Sequence, residues 1–277
     1  MVIWGGTFIA IKICLQQLVP IEIIGLRFIV GLPLLALLVY FSRVSWKIER
    51  SDLPRLLFAS VMLVLQFLAQ AYALTMTTAT NTAWLVAVSP LAIALLGALV
   101  LKEHLGRETI IGISIATIGV ILLVSKGRLA DLGWLRSIGD WMVLFSAINW
   151  AIYAISIRDI TRRRGPLLVT LLVYTPLTFV GIAGLIVSDT ITRLPDLSTA
   201  VWWWLLFLAV PGTIAHWLWN VGLSQIGAVK AGIYIYLESV TTTIIAVPLL
   251  HETFGWGTAI GAALIIVGVQ WGQRRGR

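Results

Sequence analysis

The sequence predicts an all-α polytopic membrane protein with ten transmembrane helices, arranged as two inverted repeats of five helices each. Three observations support this prediction. The chain is 59% apolar and only 12% charged, with a mean hydropathy of +0.97, whereas soluble domains carry about 25% charged residues. Apolar runs long enough to cross a bilayer recur along its whole length. The pattern of the first half also returns in the second half.

The apolar runs are predicted to be membrane-spanning helices because each reaches about 20 residues. They are centred near residues 10, 30, 64, 89, 116, 149, 176, 213, 239 and 264. The connections between them are short and polar, so no soluble domain fits there. Strand alternation is lacking, and a helix satisfies its own backbone in lipid. The first run is short for a span, which leaves open a late start or a missing native N-terminal segment.

Basic residues indicate how the predicted spans are oriented. With the N-terminus inside, cytoplasmic loops hold 14 Lys and Arg and the opposite loops hold 4. The positive-inside rule therefore places both termini in the cytoplasm. The net charge of +8 comes from these loop clusters, so no nucleic-acid partner is predicted. With Cys14 as the single cysteine and with no phosphate-binding loop or His/Glu metal spacing, we expect no cofactor and no metal.

An internal duplication divides the chain. At an offset of 146 residues Trp4 matches Trp150, and at 149 residues Gly112 matches Gly261. We therefore predict a first repeat over 1–125, a connecting loop over 126–137 and a second repeat over 138–277. Because five is odd, the second repeat must enter the membrane in the opposite sense. Secondary transporters commonly use this architecture, with a substrate site near the midplane.

Glu238 lies near the centre of the ninth predicted span, where the matched position of the first half is Ser89. An ionisable group at this depth is costly unless it faces a cavity or a partner, and it marks a functional site by default. Helical spacing places Tyr234, Glu238 and Thr242 on one face. The alternative is a structural hydrogen bond from Glu238 to a neighbouring helix.

Polar and aromatic residues on other spans are predicted to face the same interior, because polar side chains at this depth avoid lipid. Together these residues form the predicted substrate site: Trp4, Arg27, Gln66, Gln70, Asn81, Trp84, Trp150, Tyr153, His216, Asn220, Tyr234 and Glu238. The aromatic members could stack against a planar or cationic ligand.

Each of these assignments has a structural alternative. Gln66, Gln70 and Asn220 could simply hydrogen-bond between helices, and the aromatic residues could be packing. His216 could be a satisfied interior histidine or a proton carrier. Arg27 could bind a substrate carboxylate or pair with Glu22.

Two further features are interpreted as structural. Glu103 and Glu252 occupy equivalent ends of the fourth and ninth spans, and we expect them to cap the helices that follow. Small residues line one face of the fifth span and one face of the tenth, where they let backbones approach closely. We expect these two spans to be scaffold, and both a monomer and a homodimer formed through them fit the sequence.

Several motifs together resemble the EamA-type families of the drug/metabolite transporter superfamily. They are Trp4-Gly5-Gly6-Thr7-Phe8-Ile9-Ala10-Ile11-Lys12, Arg27-Phe28, Lys102-Glu103-His104-Leu105, Trp150-Ala151-Ile152-Tyr153, Tyr236-Leu237-Glu238 and His251-Glu252-Thr253-Phe254. Ser239 stands where a proline usually follows Glu238, which leaves a kink at that point open.

The resemblance implies a ten-span carrier of the bacterial cytoplasmic membrane that moves small metabolites, often amino acids, through a central cavity. We expect a non-enzymatic secondary carrier that exports amino acids or related aromatic or cationic compounds by alternating access. Glu238 would bind a proton or the cationic group of the substrate. The partners are then the small-molecule substrate, the proton and membrane lipid. The alternative function is a membrane enzyme or receptor that uses the same cavity without moving its ligand across the bilayer.

Overall fold

The computed structural model of the protein describes residues 1–100, 106–125, 138–252 and 255–273. Every regular element in these ranges is helical, which confirms the predicted all-α class. The helices are α1 (Val2–Cys14), α2 (Pro20–Phe41), α3 (Leu53–Ala73), α4 (Ala79–Val86), α5 (Ser89–Val100), α6 (Arg107–Val124), α7 (Ile138–Arg164), α8 (Pro166–Val187), α9 (Thr190–Arg193), α10 (Thr199–Ala209), α11 (Pro211–Ile226), α12 (Ala228–Ile233), α13 (Tyr236–Leu249) and α14 (Trp256–Gln273). Glu103 and the predicted loop 126–137 lie outside the described residues.

Seven helical stretches within the described residues are long and apolar enough to cross a membrane. They are Pro20–Phe41, Arg50–Ala73, Ala79–Val100, Ile138–Arg164, Pro166–Val187, Thr199–Ile226 and Ala228–Leu249. Three further helices, α1, α6 and α14, lie at the other three predicted centres. The chain is therefore a multi-pass membrane protein, and the count of ten spans stays a prediction.

Three of the predicted spans are interrupted near their middle. In the fourth span α4 ends at Val86 and α5 begins at Ser89, just before Pro90. In the eighth, α11 begins with Pro211. A proline has no N–H to continue the preceding helix, so these two interruptions follow from the sequence.

The ninth span is interrupted without a proline, between the end of α12 and the start of α13. The amides of Leu237 and Glu238 donate to the carbonyls of Tyr234 and Ile235, at 3.0 and 2.9 Å. These bonds reach back three residues instead of four and make a tighter 3₁₀-type turn. The regular α-helical hydrogen bonding is thus interrupted directly before Glu238.

Glycines let the helices α6 and α14 approach backbone to backbone. A Cβ on Gly112 of α6 would lie 2.6 Å from the Gly268 carbonyl oxygen of α14, and one on Gly119 would lie 2.6 Å from the Gly261 carbonyl oxygen. The small-residue faces that the sequence reveals thus pack against each other within one chain. They are therefore not free to form a homodimer surface.

One end of the bundle, which we name the Asp52 end, carries ion pairs that join the start of α3 to the end of α7. The buried Asp52 carboxylate accepts a hydrogen bond from Arg163 Nη2 at 2.9 Å and one from Arg164 Nε at 2.7 Å. Arg164 also pairs with Glu49, and this hydrogen bond holds the pKa of the exposed Glu49 carboxyl below its ordinary value. Arg163 is about half exposed, so the cluster sits at the rim of the bundle.

At the opposite end, which we name the Asp140 end, hydrogen bonds join the start of α4 to the second half of the chain. Asp140 Oδ1 accepts hydrogen bonds from Asn81 Nδ2 at 2.6 Å and from Thr77 Oγ1 at 2.9 Å. The Glu252 carboxylate accepts the amides of Ala79 and Thr80 at 2.9 and 3.0 Å. Glu252 therefore does cap a helix, but that helix is α4 and not α14, the following helix that the sequence suggests.

We expect Gly112→Ala to destabilise the protein, because the new methyl group would overlap the backbone of α14. Overpacking of this kind typically costs about 1–3 kcal/mol. The matched control is Gly222→Ala in α11, where a Cβ meets nothing within 4 Å, and where alanine should be neutral or slightly stabilising. Thermal unfolding in detergent compares the two variants. Equal melting temperatures would contradict the backbone contact between α6 and α14.

We also expect Asp52→Asn to lower the free energy of unfolding, because it removes the charge shared by two arginines. A hydrogen bond to a charged group contributes about 1.5–3 kcal/mol. Asp159→Asn, close by on α7, is the control, since Asp159 is half exposed and lies 3.8 Å from Arg158. Denaturant titrations that find the same loss in both variants would show that Asp52 does not join α3 to α7.

Candidate functional site

A pocket in the interior of the bundle brings the two halves of the chain together. Its lining comes from α1, α2, α3 and α4 of the first half and from α7 and the α12–α13 break of the second. Its cavity volume is about 40 Å³. We name it the central pocket, and its lining residues are Trp4, Thr7, Arg27, Gln66, Phe67, Gln70, Val86, Ser146, Ala147, Trp150, Ile235 and Glu238.

Glu238 places a carboxyl group in this pocket. It lies in the first turn of α13, is 6% exposed, and forms no hydrogen bond or ion pair through its carboxylate with any described side chain. The matched Ser89 behaves differently, because its hydroxyl donates to the Ala147 carbonyl at 3.3 Å. The structural alternative for Glu238, a hydrogen bond to a neighbouring helix, is therefore not what the described residues show.

The backbone beneath Glu238 is held firmly against α1. Thr242 Oγ1 lies 2.9 Å from the Glu238 carbonyl oxygen and 3.0 Å from the Gly5 carbonyl oxygen. A Cβ on Gly5 would fall 2.9 Å from the Glu238 carbonyl oxygen, so only glycine lets α1 pack this closely. The main chain is thus fixed while the carboxyl group is left free for a ligand.

Arg27 brings a cation to the same pocket. It is 4% exposed, and its guanidinium carbon lies 4.7 Å from the Phe67 ring centroid and 5.3 Å from that of Phe28. A Cβ on Gly212 would come within 3.2 Å of Arg27 Nη2, so the glycine makes room for the guanidinium. No carboxylate among the described residues forms an ion pair with it, and its Nε has no partner there.

Glu22, the alternative partner that the sequence offers for Arg27, is engaged elsewhere. Its carboxylate pairs with Arg193, accepts a hydrogen bond from Thr190 Oγ1 at 2.9 Å and accepts the Val19 amide at 2.8 Å. The structural alternative for Arg27 is therefore wrong. Ring faces partly compensate its charge through cation–π attraction, but the anion that would balance it is not a described side chain.

Amide and indole groups form the rest of the polar lining. Gln66 and Gln70 lie one turn apart on α3, and Gln66 Oε1 and Trp150 Nε1 have no hydrogen-bond partner among the described residues although both are buried. The Trp4 and Trp150 rings meet edge to face, with centroids 5.2 Å apart. Since buried polar atoms in native proteins almost always have a partner, these atoms indicate where water or a ligand binds.

Tyr153, His216 and Asn220 lie behind the pocket wall and do not line the pocket. The Tyr153 hydroxyl is 2.7 Å from His216 Nε2, and Asn220 Nδ2 donates to Thr170 Oγ1 at 2.8 Å. The His216 ring packs against Trp150, with centroids 5.5 Å apart. Asn220 thus forms a hydrogen bond between helices, which is the structural role that the sequence offers as the alternative to substrate binding.

Three other predicted residues lie away from the pocket. Tyr234 is 39% exposed on the outer surface, because the break between α12 and α13 ends the helical register that places it with Glu238. Asn81 lies at the Asp140 end, where it donates to Asp140. Trp84 is buried between helices and donates from Nε1 to Thr243 Oγ1 at 3.0 Å. None of these three residues is part of the lining of the central pocket.

The predicted site lacks several residues of this region, and four of them are informative. Thr7 and Phe67 line the central pocket, and the spacing of Thr7 from Trp4 could have revealed it. Thr170 and Tyr174 of α8 are four residues apart and face the same buried network. Their helical spacing is the available signal, although the sequence prediction places no inward residue on that span.

Comparison with known proteins gives a consistent result. The model of the EamA-like transporter family matches residues 1–125 and again 137–271. A protein of Archaeoglobus fulgidus described as an uncharacterized transporter is 30% identical over 276 residues, covering 97% of this chain and 93% of that protein. A probable amino-acid metabolite efflux pump of Salmonella typhimurium is 27% identical, covering 97% and 90%.

A solved crystal structure shares the fold. It superposes with a TM-score of 0.75 over 98% of this chain and 93% of its own, at 19% identity. The two matches to the family model together cover nearly the whole chain. The chain therefore belongs to the EamA-like transporter family, in keeping with the description of one relative as a transporter and of the other as an efflux pump.

Proposed function

We propose that this protein is a secondary transporter that carries small metabolites across the bacterial cytoplasmic membrane by alternating access. The observation that carries the proposal is the central pocket, which both halves of the chain line and in which Glu238 has no partner among the described side chains. Such a site at the interface of two halves is where inverted-repeat carriers bind their substrates. The substrates we expect are amino acids or related aromatic or cationic compounds.

The glycine contacts of α6 and α14 support an inverted repeat. The offset of 149 residues carries Gly112 onto Gly261 and Gly119 onto Gly268. If each residue is replaced by its match in the other half, the contact between Gly112 and Gly268 becomes a contact between Gly261 and Gly119. Both contacts are present. This exchange is expected when two antiparallel helices are related by a two-fold axis between them.

Contacts at the two ends supply candidates for the barriers that alternating access requires. At the Asp52 end, α3 of the first half is joined to α7 of the second. At the Asp140 end, α4 of the first half is joined to Asp140 and Glu252 of the second. For the central pocket to open to one side of the membrane, the contacts at the end on that side must break. The contacts at the other end must stay formed.

The distribution of basic residues and the relatives supply orientation and direction. By the positive-inside rule the Asp52 end faces the cytoplasm, with both termini on that side. The description of the Salmonella typhimurium relative as an efflux pump favours export. Glu238 would take up a proton or the cationic group of the substrate. Arg27 of α2 is the other charged side chain that lines the central pocket.

We expect Glu238→Gln to abolish pH-dependent transport in proteoliposomes while the protein stays folded. The amide keeps the size of the side chain but can neither bind a proton nor neutralise a cation. Loss of a hydrogen bond to a charged group, of about 1.5–3 kcal/mol, corresponds to roughly 10- to 100-fold in affinity. The measurement is flux of radiolabelled amino acids across sealed vesicles at several pH values.

Glu108→Gln is the matched control, because Glu108 lies in the first turn of α6 and outside the central pocket. It should transport like the wild type. Unchanged flux in Glu238→Gln would remove Glu238 from the mechanism. Chemical conversion of the label without movement across the bilayer would support the alternative of a membrane enzyme.

A further inference from the structure

We propose that Arg27, Tyr174 and Thr213 form a binding site for a small inorganic anion of the halide class, at the edge of the central pocket. The ion is a resident counter-ion of the Arg27 guanidinium and not the transported metabolite. Its binding belongs to the folded protein itself and does not depend on transport. It would satisfy a buried cation and two buried hydroxyl groups that lack hydrogen-bond partners among the described residues.

Arg27 carries a charge that no described side chain neutralises. It is 4% exposed and forms no ion pair, and the carboxylate nearest to it in sequence, that of Glu22, pairs with Arg193. The ring faces of Phe28 and Phe67 attract the guanidinium. This cation–π attraction is smaller than the cost of taking a charge out of water. A buried cation in a membrane bundle is therefore expected to face an anion or a cavity that holds one.

The hydroxyl group of Thr213 is left free by the interruption of the eighth span. Several threonine hydroxyls of the bundle donate to the carbonyl four residues back, as that of Thr170 does at 2.7 Å. Thr213 instead follows Pro211, where α11 begins, and its Oγ1 has no partner among the described residues. The hydroxyl lies against α2 one turn after Arg27, because a Cβ on Gly31 would fall 2.5 Å from Thr213 Oγ1.

Tyr174 brings a second hydroxyl group to the same place. Its side chain is fully buried, and its hydroxyl lies close to the Arg27 guanidinium and to Thr213 Oγ1. No hydrogen bond of ordinary geometry satisfies this hydroxyl among the described residues. The His216 ring packs against the Tyr174 ring, with centroids 5.1 Å apart. The titratable groups that face Arg27 from α8 and α11 are thus a phenol and an imidazole, and neither is a carboxylate.

An anion matches these three groups because all of them can donate hydrogen bonds. A guanidinium has several N–H donors, and each hydroxyl has one O–H donor. Buried polar atoms in native proteins almost always have a partner. Water would satisfy the two hydroxyls but would leave the charge of Arg27 uncompensated. A single halide ion accepts hydrogen bonds from all three groups and also neutralises the guanidinium.

The available space favours a small ion. The central pocket, which Arg27 lines, has a cavity volume of about 40 Å³, enough for about three water-sized particles. A halide ion with accompanying water fits this space, whereas a metabolite requires the pocket to widen. Glu238 also lines the pocket, and its negative charge would oppose the binding of an anion.

The test compares the melting temperature of the purified protein in the sodium salts of chloride, bromide, acetate and gluconate, at one ionic strength and one pH. A ligand that binds the native state raises the melting temperature by mass action. We expect saturable stabilisation by chloride and bromide and none by the larger acetate and gluconate. In crystals grown in sodium bromide, the anomalous signal of bromide should lie within hydrogen-bond distance of Arg27 and Thr213.

Variants show whether the halide effect belongs to this site. Tyr174→Phe and Thr213→Val each remove one hydroxyl, so halide binding should weaken about tenfold or more, as expected when a hydrogen bond to a charged group is lost. Tyr236→Phe is the matched control. The Tyr236 side chain is also buried and its hydroxyl also lacks a hydrogen-bond partner among the described residues, but it lies near Thr117 of α6. Glu238→Gln removes the opposing charge and should strengthen halide binding.

Arg27→Gln should abolish the halide effect. Arg27→Lys keeps the charge and should retain the effect, and it serves as the comparison if Arg27→Gln does not fold.

Equal melting temperatures of the wild type in all four salts would overturn the inference. Stabilisation by acetate as strong as that by chloride would do the same, because the site would then be one for carboxylates. So would equal halide stabilisation in Tyr174→Phe, Thr213→Val and Tyr236→Phe, or loss of halide binding in Glu238→Gln. Flux of a labelled metabolite into vesicles prepared in gluconate tests the transporter function separately, so that function can stand when the halide site fails.

Discussion

The structure depends on one constraint: the interior of a bilayer offers no water to satisfy a polar group. Backbone amides and carbonyls must therefore be paired within helices, and polar side chains must find partners inside the bundle. Most of them do, as Trp84 does with Thr243 and Asn220 with Thr170. Within the described residues, three of the buried polar atoms without a partner, Arg27 Nε, Gln66 Oε1 and Trp150 Nε1, belong to the lining of the central pocket, where water or a ligand can satisfy them.

Interrupted spans make such a pocket possible. A continuous helix would pair its backbone groups internally, and it would place successive side chains at fixed angles around its axis. The break before α13 instead interrupts the helical register beside the acid, while Thr242 and Gly5 fix the main chain at that point. The break at Pro211 likewise places Gly212 next to the Arg27 guanidinium. Both charged residues of the pocket thus lie beside an interrupted span.

Much of the fold could be predicted from sequence because its determinants are local or periodic. Apolar length predicts the helices, and the small-residue faces of α6 and α14 indicate close packing. The site is harder to predict. Helical spacing distinguishes faces only while a helix is unbroken, so it places Tyr234 with Glu238 although a turn separates them. Spacing also says nothing about distant partners, and Asn81 is held by Asp140, which lies 59 residues away.

The difference between Ser89 and Glu238 has a consequence for the energetics of the unloaded carrier. If the two halves exchange conformations as it switches sides, identical halves would make the inward-facing and outward-facing forms equal in free energy. A single carboxylate in one half removes that degeneracy, because its surroundings differ in the two forms. If the carrier works as proposed, one of these two forms should then be more populated than the other when no substrate is bound, and Glu238 is one of the residues that contribute to this difference.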